Sequence, residues 1–363
     1  MDRFIECFAE VPDPRADNSQ HDLTAVLFIA LLATLCGATS CSDMEEFGLA
    51  KEELLRGILT LEHGIPSHDT FSRVFRLLDP EAFEAAFRLF TAAFAKAAKI
   101  APPKGVVALD GKALRRAYET GAAHMPKVVV TAWAAEARMT LGAKLAPEGN
   151  EAQAALDLIP LLQLKGCVVT GDALHCHRKM AAAITGRGGD YVLAVKDNQP
   201  TLLRDAIAAI EQGLGPSTAT TQDAAHGREE RRAAIIAKAP AMGLAHDFPG
   251  LRAVARIVSR RGKDKPVVRH FLCSRLYTAE RLLKIVRAHW GIENTLHWTL
   301  DVVQDEDRAR SRKDNAPVNL AVLRRMANNI ARAHPDRKTS LRRKLLRAGW
   351  DEAFLFDLIR HMR

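Results

Sequence analysis

The sequence predicts an α/β protein: a mixed sheet flanked by helices, carrying a β-rich insertion, and preceded by an all-α N-terminal domain. Three observations carry this. Residues 1–95 show helical spacing and helix caps with no strand pattern. Residues 96–335 alternate short apolar runs with amphipathic helical stretches. Between about 213 and 278 Gly, Thr and charge dominate, and the runs that follow have strand character, which marks an insertion in that domain. Residues 336–363 close the chain as a basic tail, with RRKLLRAGW and a short amphipathic helix.

In the N-terminal domain, the two prolines of VPDPR (11–15) set a turn. The apolar run 23–38, LTAVLFIALLATLCGA, reads as a buried helix. It is shorter than the ~20 residues a membrane span requires. It also starts too late, behind too acidic a leader, for a signal peptide. Ser40 or Ser42 caps SDMEEFGLAKEELLRGIL, read as one helix with acids in its first turns. Ser67 or Asp69 caps TFSRVFRLL, and Asp79-Pro80 opens EAFEAAFRLFTAAFAKAA. Short helices joined by tight turns suit a helix-turn-helix DNA reader or a helical packing or dimerisation domain.

After the linker APPKG, strands are expected at KGVVALD (104–110), KVVVTAWAAE (127–136), more weakly RMTLGAKLA, then GCVVTGDA (166–173) and DYVLAVKDNQP. Asn150 caps a helix through EAQAALDLIPLLQL, which Pro160 kinks or ends. HRKMAAAITGRGG and TLLRDAIAAIEQ are further helices. REERRAAIIAKA, LRAVARIVSRR and VVRHFLCSRL are the strands of the insertion. Thr278 or Glu280 then opens a helix running on through RAHWGIENTLHWTL, and 315–333 forms another.

With 363 residues, 48% of them hydrophobic, the chain can build two or three domains around a sizeable core. The net charge of +9 makes a polyanionic partner plausible. Residues 310–363 hold fourteen Lys and Arg against five Asp and Glu, an excess equal to that of the whole chain. The six cysteines are scattered without a C-x-x-C pair, which fits reduced thiols and excludes a disulfide frame. His175, Cys176 and His177 are too close in sequence to converge on one ion from a helix. Lacking a targeting segment, the protein is expected in the cytoplasm, associated with the nucleoid.

The chemistry rests on three acids. Asp110 ends one apolar run, VVALD, and Asp172 ends another, CVVTGD. Ligands bind at the C-terminal ends of strands in α/β sheets. Glu293 lies on the later helix, sharing a face with Val286, Trp290 and His297, while Ile285, Ile292, Leu296 and Thr299 mark the inward face. Three converging carboxylates repel one another unless cations sit between them. Oxygen-only ligands suit Mg²⁺ or Mn²⁺, and a pair of such ions serves in-line phosphoryl displacement. Taken singly, Asp110-Gly111 is turn chemistry and Glu293 a solvated helix acid. In the order strand-Asp, strand-Asp, helix-Glu they match a ribonuclease-H-like plan. Glu306, in the charged run QDEDRAR, is the competitor for third acid; it is expected to pair at the surface with Arg308 and Arg310.

Several blocks now carry a resemblance. LDGKALRRA, VVTGDA, GGDYVLAVKDNQPTL, HGREERR and HWGIENTLHWTLDVVQDEDRAR resemble the DDE transposases of bacterial insertion sequences, in the ISAs-type or H-repeat-associated group. VPDPR and GIPSHDTFSRVFRLLDP resemble the leader domain of the same group, so the likeness spans roughly residues 8–335. It implies a ribonuclease-H-like catalytic domain with the DDE triad on Asp110, Asp172 and Glu293. It also implies divalent metal and double-stranded DNA partners, the terminal inverted repeats and the target, bound by a homodimer. Related families often place Arg four residues before the Glu and Lys seven after it; here those positions hold His289 and Leu300. Ala113 stands where Thr is usual, and TGDALHC departs from IDAMGC.

Other residues have two readings each. Lys112, Arg115 and Arg116 either hold a phosphate near the metals or start a solvated helix. Lys196, Asn198 and Gln199 follow a strand at the same sheet end and are DNA-contact candidates. Trp290, His297 and Trp298 either stack on an unpaired base or pack in the core. The activity expected is cleavage at element ends followed by strand transfer into target DNA. The rivals are a nuclease without strand transfer and a transposon-derived DNA-binding protein without catalysis.

Overall fold

The computed structural model describes residues 2–16, 19–100, 104–115, 126–213, 217–225 and 228–362. Six helices come first: α1 (Asp2–Phe8), α2 (Leu23–Leu35), α3 (Cys41–Ala50), α4 (Glu52–Arg56), α5 (His68–Leu77) and α6 (Pro80–Ala97). α2 has no polar face, and all its residues but Thr24 are buried. Asp22 caps it by accepting from the Ala25 N–H at 2.8 Å. Phe4 packs on Phe28 of α2 and on Phe8 and Phe90 beside it. Among the described residues no helix is long and apolar enough to cross a membrane. The run expected as one helix after Ser40 is two, broken at Lys51; the break turns Leu55 into the core, where it is fully buried.

The sheet and its helices follow as β1 (Val106–Ala113), β2 (Val128–Ala134), β3 (Met139–Leu145), α7 (Glu151–Leu158), β4 (Val168–Gly171), α8 (Arg178–Gly186), β5 (Asp190–Val195) and α9 (Pro200–Gln212). Next come β6 (Ser217–Ala225), β7 (Arg228–Lys238), α10 (Pro240–Ala245), β8 (Ala253–Arg261) and β9 (Val267–Cys273). All nine strands form one mixed sheet in the order β3-β2-β1-β4-β5-β9-β8-β7-β6. β1, β4 and β5 run parallel, and the other neighbours are antiparallel. The insertion is thus an extension of the main sheet, joined where β9 pairs with β5. β6 and α10 escape the sequence pattern; β6 has little apolar alternation and owes its form to a nine-position ladder with β7.

Strand period sorts the core. Val107 and Leu109 of β1 face α7, α8 and α9. Val106 and Ala108 face the opposite side, toward α11 (Ala279–His289) and the segment after it, Ile292, Leu296 and Leu300. Asp110 continues the second series.

A short α12 (Trp298–Val302) and the long α13 (Ala316–Ala333) follow, then α14 (Leu341–Trp350) and α15 (Glu352–Ile359). α13 is the axis of the helical unit, packed against α2, α5, α6 and β3. The segment expected as a basic tail is folded: Leu345, Ala348, Phe354, Leu355 and Leu358 join the same core as α1 and α2. Arg3 donates to the His361 carbonyl at 2.6 Å, and Lys51 pairs with Glu352 at 2.9 Å. Leu345 and Ala348 of RRKLLRAGW carry this signal, while Trp350 at the end of the run stays exposed.

Candidate active site

Asp110 was expected at a strand end, yet β1 runs on to Ala113 because β2 stays paired with it to that point. The parallel partner β4 stops at Gly171. Val106, Val107 and Ala108 lie opposite Val168, Val169 and Thr170, and the same offset puts Asp110 level with Asp172. Asp110 is half-buried. Asp172 is exposed and accepts the Leu174 N–H at 3.0 Å.

The helix expected to carry Glu293 without interruption stops at His289 and passes into a π-helical turn, Ile292–His297, before α12. Such wide turns mark functional sites. Here the cause is packing: Gly291 lies against Trp133, and a Cβ there would sit 2.8 Å from the indole. Ile292, Leu296 and Leu300 stay buried on Ala108 and Trp133. The turn separates residues expected on one face. Glu293 is exposed, whereas His297 is only 13% exposed, its Nδ1 3.6 Å from Asp110 Oδ2. His297 therefore lies beside the acid and not on an open surface where a base can stack.

Burial, then Glu293 and Asp172, push the Asp110 carboxyl up to about 7, with a smaller push from Glu151 and an opposing backbone hydrogen bond from Gly111. Burial also raises Glu293, against Arg269, and raises Glu151, together with Asp172. Asp110 thus feels the other three acids, and Glu151 feels Asp172. Among the described residues, no three His, Cys, Asp or Glu side chains stand close enough together to enclose an ion. The chemistry of the donor set still fits a hard divalent cation: carboxylates from β1, the β4 exit and the π turn, mutually repelling. His289, whose Nδ1 is 2.9 Å from Thr170 Oγ1, is pushed down to about 4 by burial. His297 is pushed down to about 3 by burial and by Arg325 and Lys112. Both rings are neutral at pH 7.

Lys112 takes neither expected role. It is a strand residue, 7% exposed, and its Nζ lies 2.7 Å from Asp301, 3.1 Å from Asp307 and 3.4 Å from Glu306. Arg115 is exposed and reaches Asp307 at 3.2 Å. Arg116 lies outside the described residues. Glu306 is not at the surface: its side chain is 1% exposed and meets the fully buried Arg325 at 3.3 Å. Arg325, in α13, also donates to Thr131 Oγ1 at 3.1 Å, opposite Asp110 in the β1–β2 ladder. A guanidinium with no solvent demands a counter-charge, and Glu306 supplies it, pairing with Arg325 and not with the expected Arg308 and Arg310.

Asn198 and Gln199 tie the β5 exit to the loop after Asp172, donating to the carbonyls of Ala173 and Cys176. Lys196 beside them is exposed. Trp298 is 55% exposed, so it is not a core residue. Trp290 is half-buried with the Arg269 guanidinium 5.0 Å over its ring. Glu293, Trp290 and Arg269 line a groove of about 730 Å³ whose other wall brings Arg232 from β7, Arg261 from β8 and Lys265 from the turn after β8.

Residues 101–330 match the family model of a transposase DDE domain, and residues 5–91 match the domain associated with it. The chain is 30% identical to the Escherichia coli protein named "H repeat-associated putative transposase YhhI", over 99% of this chain and 98% of that one. It is 31% identical to "Putative protein YbfL" of the same organism, with the same coverage. It is 38% identical to an uncharacterized protein in the dhlA 3′ region of Xanthobacter autotrophicus, over 70% of this chain and 87% of that one.

Proposed function

The chain belongs to the DDE transposases of the H-repeat-associated group, and from that premise we propose that it cuts DNA at the ends of an insertion sequence and joins the freed 3′-hydroxyl to target DNA. One observation carries this reading. Asp110, Asp172 and Glu293 come from three different elements, and Asp110 is held up to about 7 in part by the other two. The strand order β3-β2-β1-β4-β5 supports a ribonuclease-H-like catalytic unit, extended by the insertion.

Asp110 and Asp172 would hold Mg²⁺ or Mn²⁺, with Glu293 completing the set. The chemistry supplied by such bound ions is charge neutralisation at the phosphodiester and a lowered pKa for the attacking water. The chain's own residues do the rest. β1 and β4 fix the two aspartates level on a buried framework. His297 packs beside Asp110 and covers one side of it. Lys265 and Arg269 offer the groove next to Glu293 to the phosphates of a DNA strand, while Arg232 and Arg261 in the same groove are paired with Glu230. Trp298 offers an open ring for stacking. A duplex carrying the element end, incubated with protein and Mg²⁺ or Mn²⁺, should be nicked and joined to target. Chelator should stop both steps, and undiminished cleavage in chelator would overturn the mechanism.

A further inference from the structure

Glu151 reads in the sequence as the first residue of an Asn150-capped helix, where an acid suits the helix dipole. Its position says more. A strand glycine often marks the close approach of another group, and Gly111, next to Asp110, is such a case. Gly111 continues the Val107–Leu109 face, on the α7 side, and any Cβ there would collide with the Glu151 carboxylate, which reaches β1 from the face opposite the Asp110 side chain. Among the described residues, Glu151 has no hydrogen-bond or ion-pair partner to account for this placement. Its electrostatic neighbour is another acid, Asp172.

A second observation points to the same place. The His175 side chain is 2% exposed, its Nδ1 has no partner, and its Nε2 aims at Asp172 Oδ1 from 4.0 Å. A buried imidazole that leaves one nitrogen without a hydrogen bond and turns the other toward Asp172 is costly unless a ligand completes the site.

We propose that Glu151 is a fourth carboxylate of the catalytic site, facing the divalent cations beside Asp110 and Asp172 across Gly111. This rests on the transposase reading given above. Four carboxylates carry four negative charges, which two divalent cations balance; three leave an excess of positive charge.

The test is a Mn²⁺ titration of the full chain, followed by calorimetry and by the electron paramagnetic resonance of free Mn²⁺, with metal-free melting curves alongside. Glu151→Gln should weaken Mn²⁺ binding about tenfold or more, since even outer-shell partners are worth that much. Its metal-free Tm should not fall. Gly111→Ala should weaken binding in the same direction by displacing the carboxylate, and the double variant should be no worse than Glu151→Gln alone. Wild-type Mn²⁺ affinity in Glu151→Gln, with binding lost in Asp110→Asn, would overturn the fourth carboxylate and leave the proposed site standing. Wild-type affinity in Asp110→Asn as well would overturn both.

Discussion

Glu306→Gln is the perturbation that most sharply separates the acids of the QDEDRAR run from Glu293. Glu306 is 1% exposed and Arg325 0%, 3.3 Å apart, with Lys112 at 3.4 Å on the other carboxylate oxygen. Removing one partner of a buried ion pair costs about 3–5 kcal/mol, because the remaining charge is left in a dry environment. Two features reduce this. Glutamine keeps the shape and one acceptor oxygen, and Lys112 retains Asp301 and Asp307. A loss of about 2–3 kcal/mol is therefore expected. At about 1.3 °C per kcal/mol for a chain of 363 residues, Tm should fall by about 3–4 °C. Circular dichroism melts and urea titrations measure it, and replacing Glu306 and Arg325 together by Met should recover much of the loss. Glu293→Gln, at an exposed position, should melt within about 1 °C of wild type while losing cleavage with DNA binding retained. If Glu306→Gln melts with wild type, the buried-pair reasoning is wrong. If it loses cleavage at full stability, Glu306 belongs among the metal-facing acids.

Three further outcomes are expected. Asp110 has a folded pKa raised to about 7 from its usual 3.8, so the native state binds the extra proton between those values. Metal-free stability from this group should fall as pH rises from about 4 to 7, and Mn²⁺ should offset the loss; stability rising over that window without metal would contradict the sign. Arg342 and Arg343 are exposed on α14. Replacing both by Ala should flatten the plot of log K against log salt by up to about 2 units if they touch phosphate, whereas deleting 336–363 should destabilise the protein by stripping the helical core. Trp298→Ala should leave Tm unchanged and weaken cleavage of end DNA; equal activity in that variant would remove the stacking role.

Much of the fold is legible because its cues are local. Ser40, Ser67, Asp79-Pro80, Asn150 and Thr278 act as caps over three or four residues, and each does so in the structure. The apolar runs before Asp110 and Asp172 announce buried strands in the same way. What escapes depends on distant partners. Nothing near Glu306 tells of Arg325, nineteen residues on and in another helix. Lys112 looks like the start of a solvated helix until β2 is seen to hold its strand straight. The π turn at Glu293 follows from Trp133, and the place of Glu151 from a glycine forty residues before it. Helical spacing therefore identified a face for Glu293 that the fold divides.

The closing of the helical core by α14 and α15 sets a timetable for the nascent chain. More than 240 residues separate the end of α6 from the start of α14. At ribosomal speeds of about 5–20 residues per second, roughly 12–50 s pass between them. During that interval the phenylalanine surfaces around α1 and α2 lack the leucines that cover them, and Glu306 and Arg325 have yet to meet beneath Asp110. The N-terminal helices complete their core only with the segments translated last. A message broken before α13 would yield a chain with Asp110 and Asp172 but no lock to hold their sheet, so an interrupted copy is disarmed by its own folding.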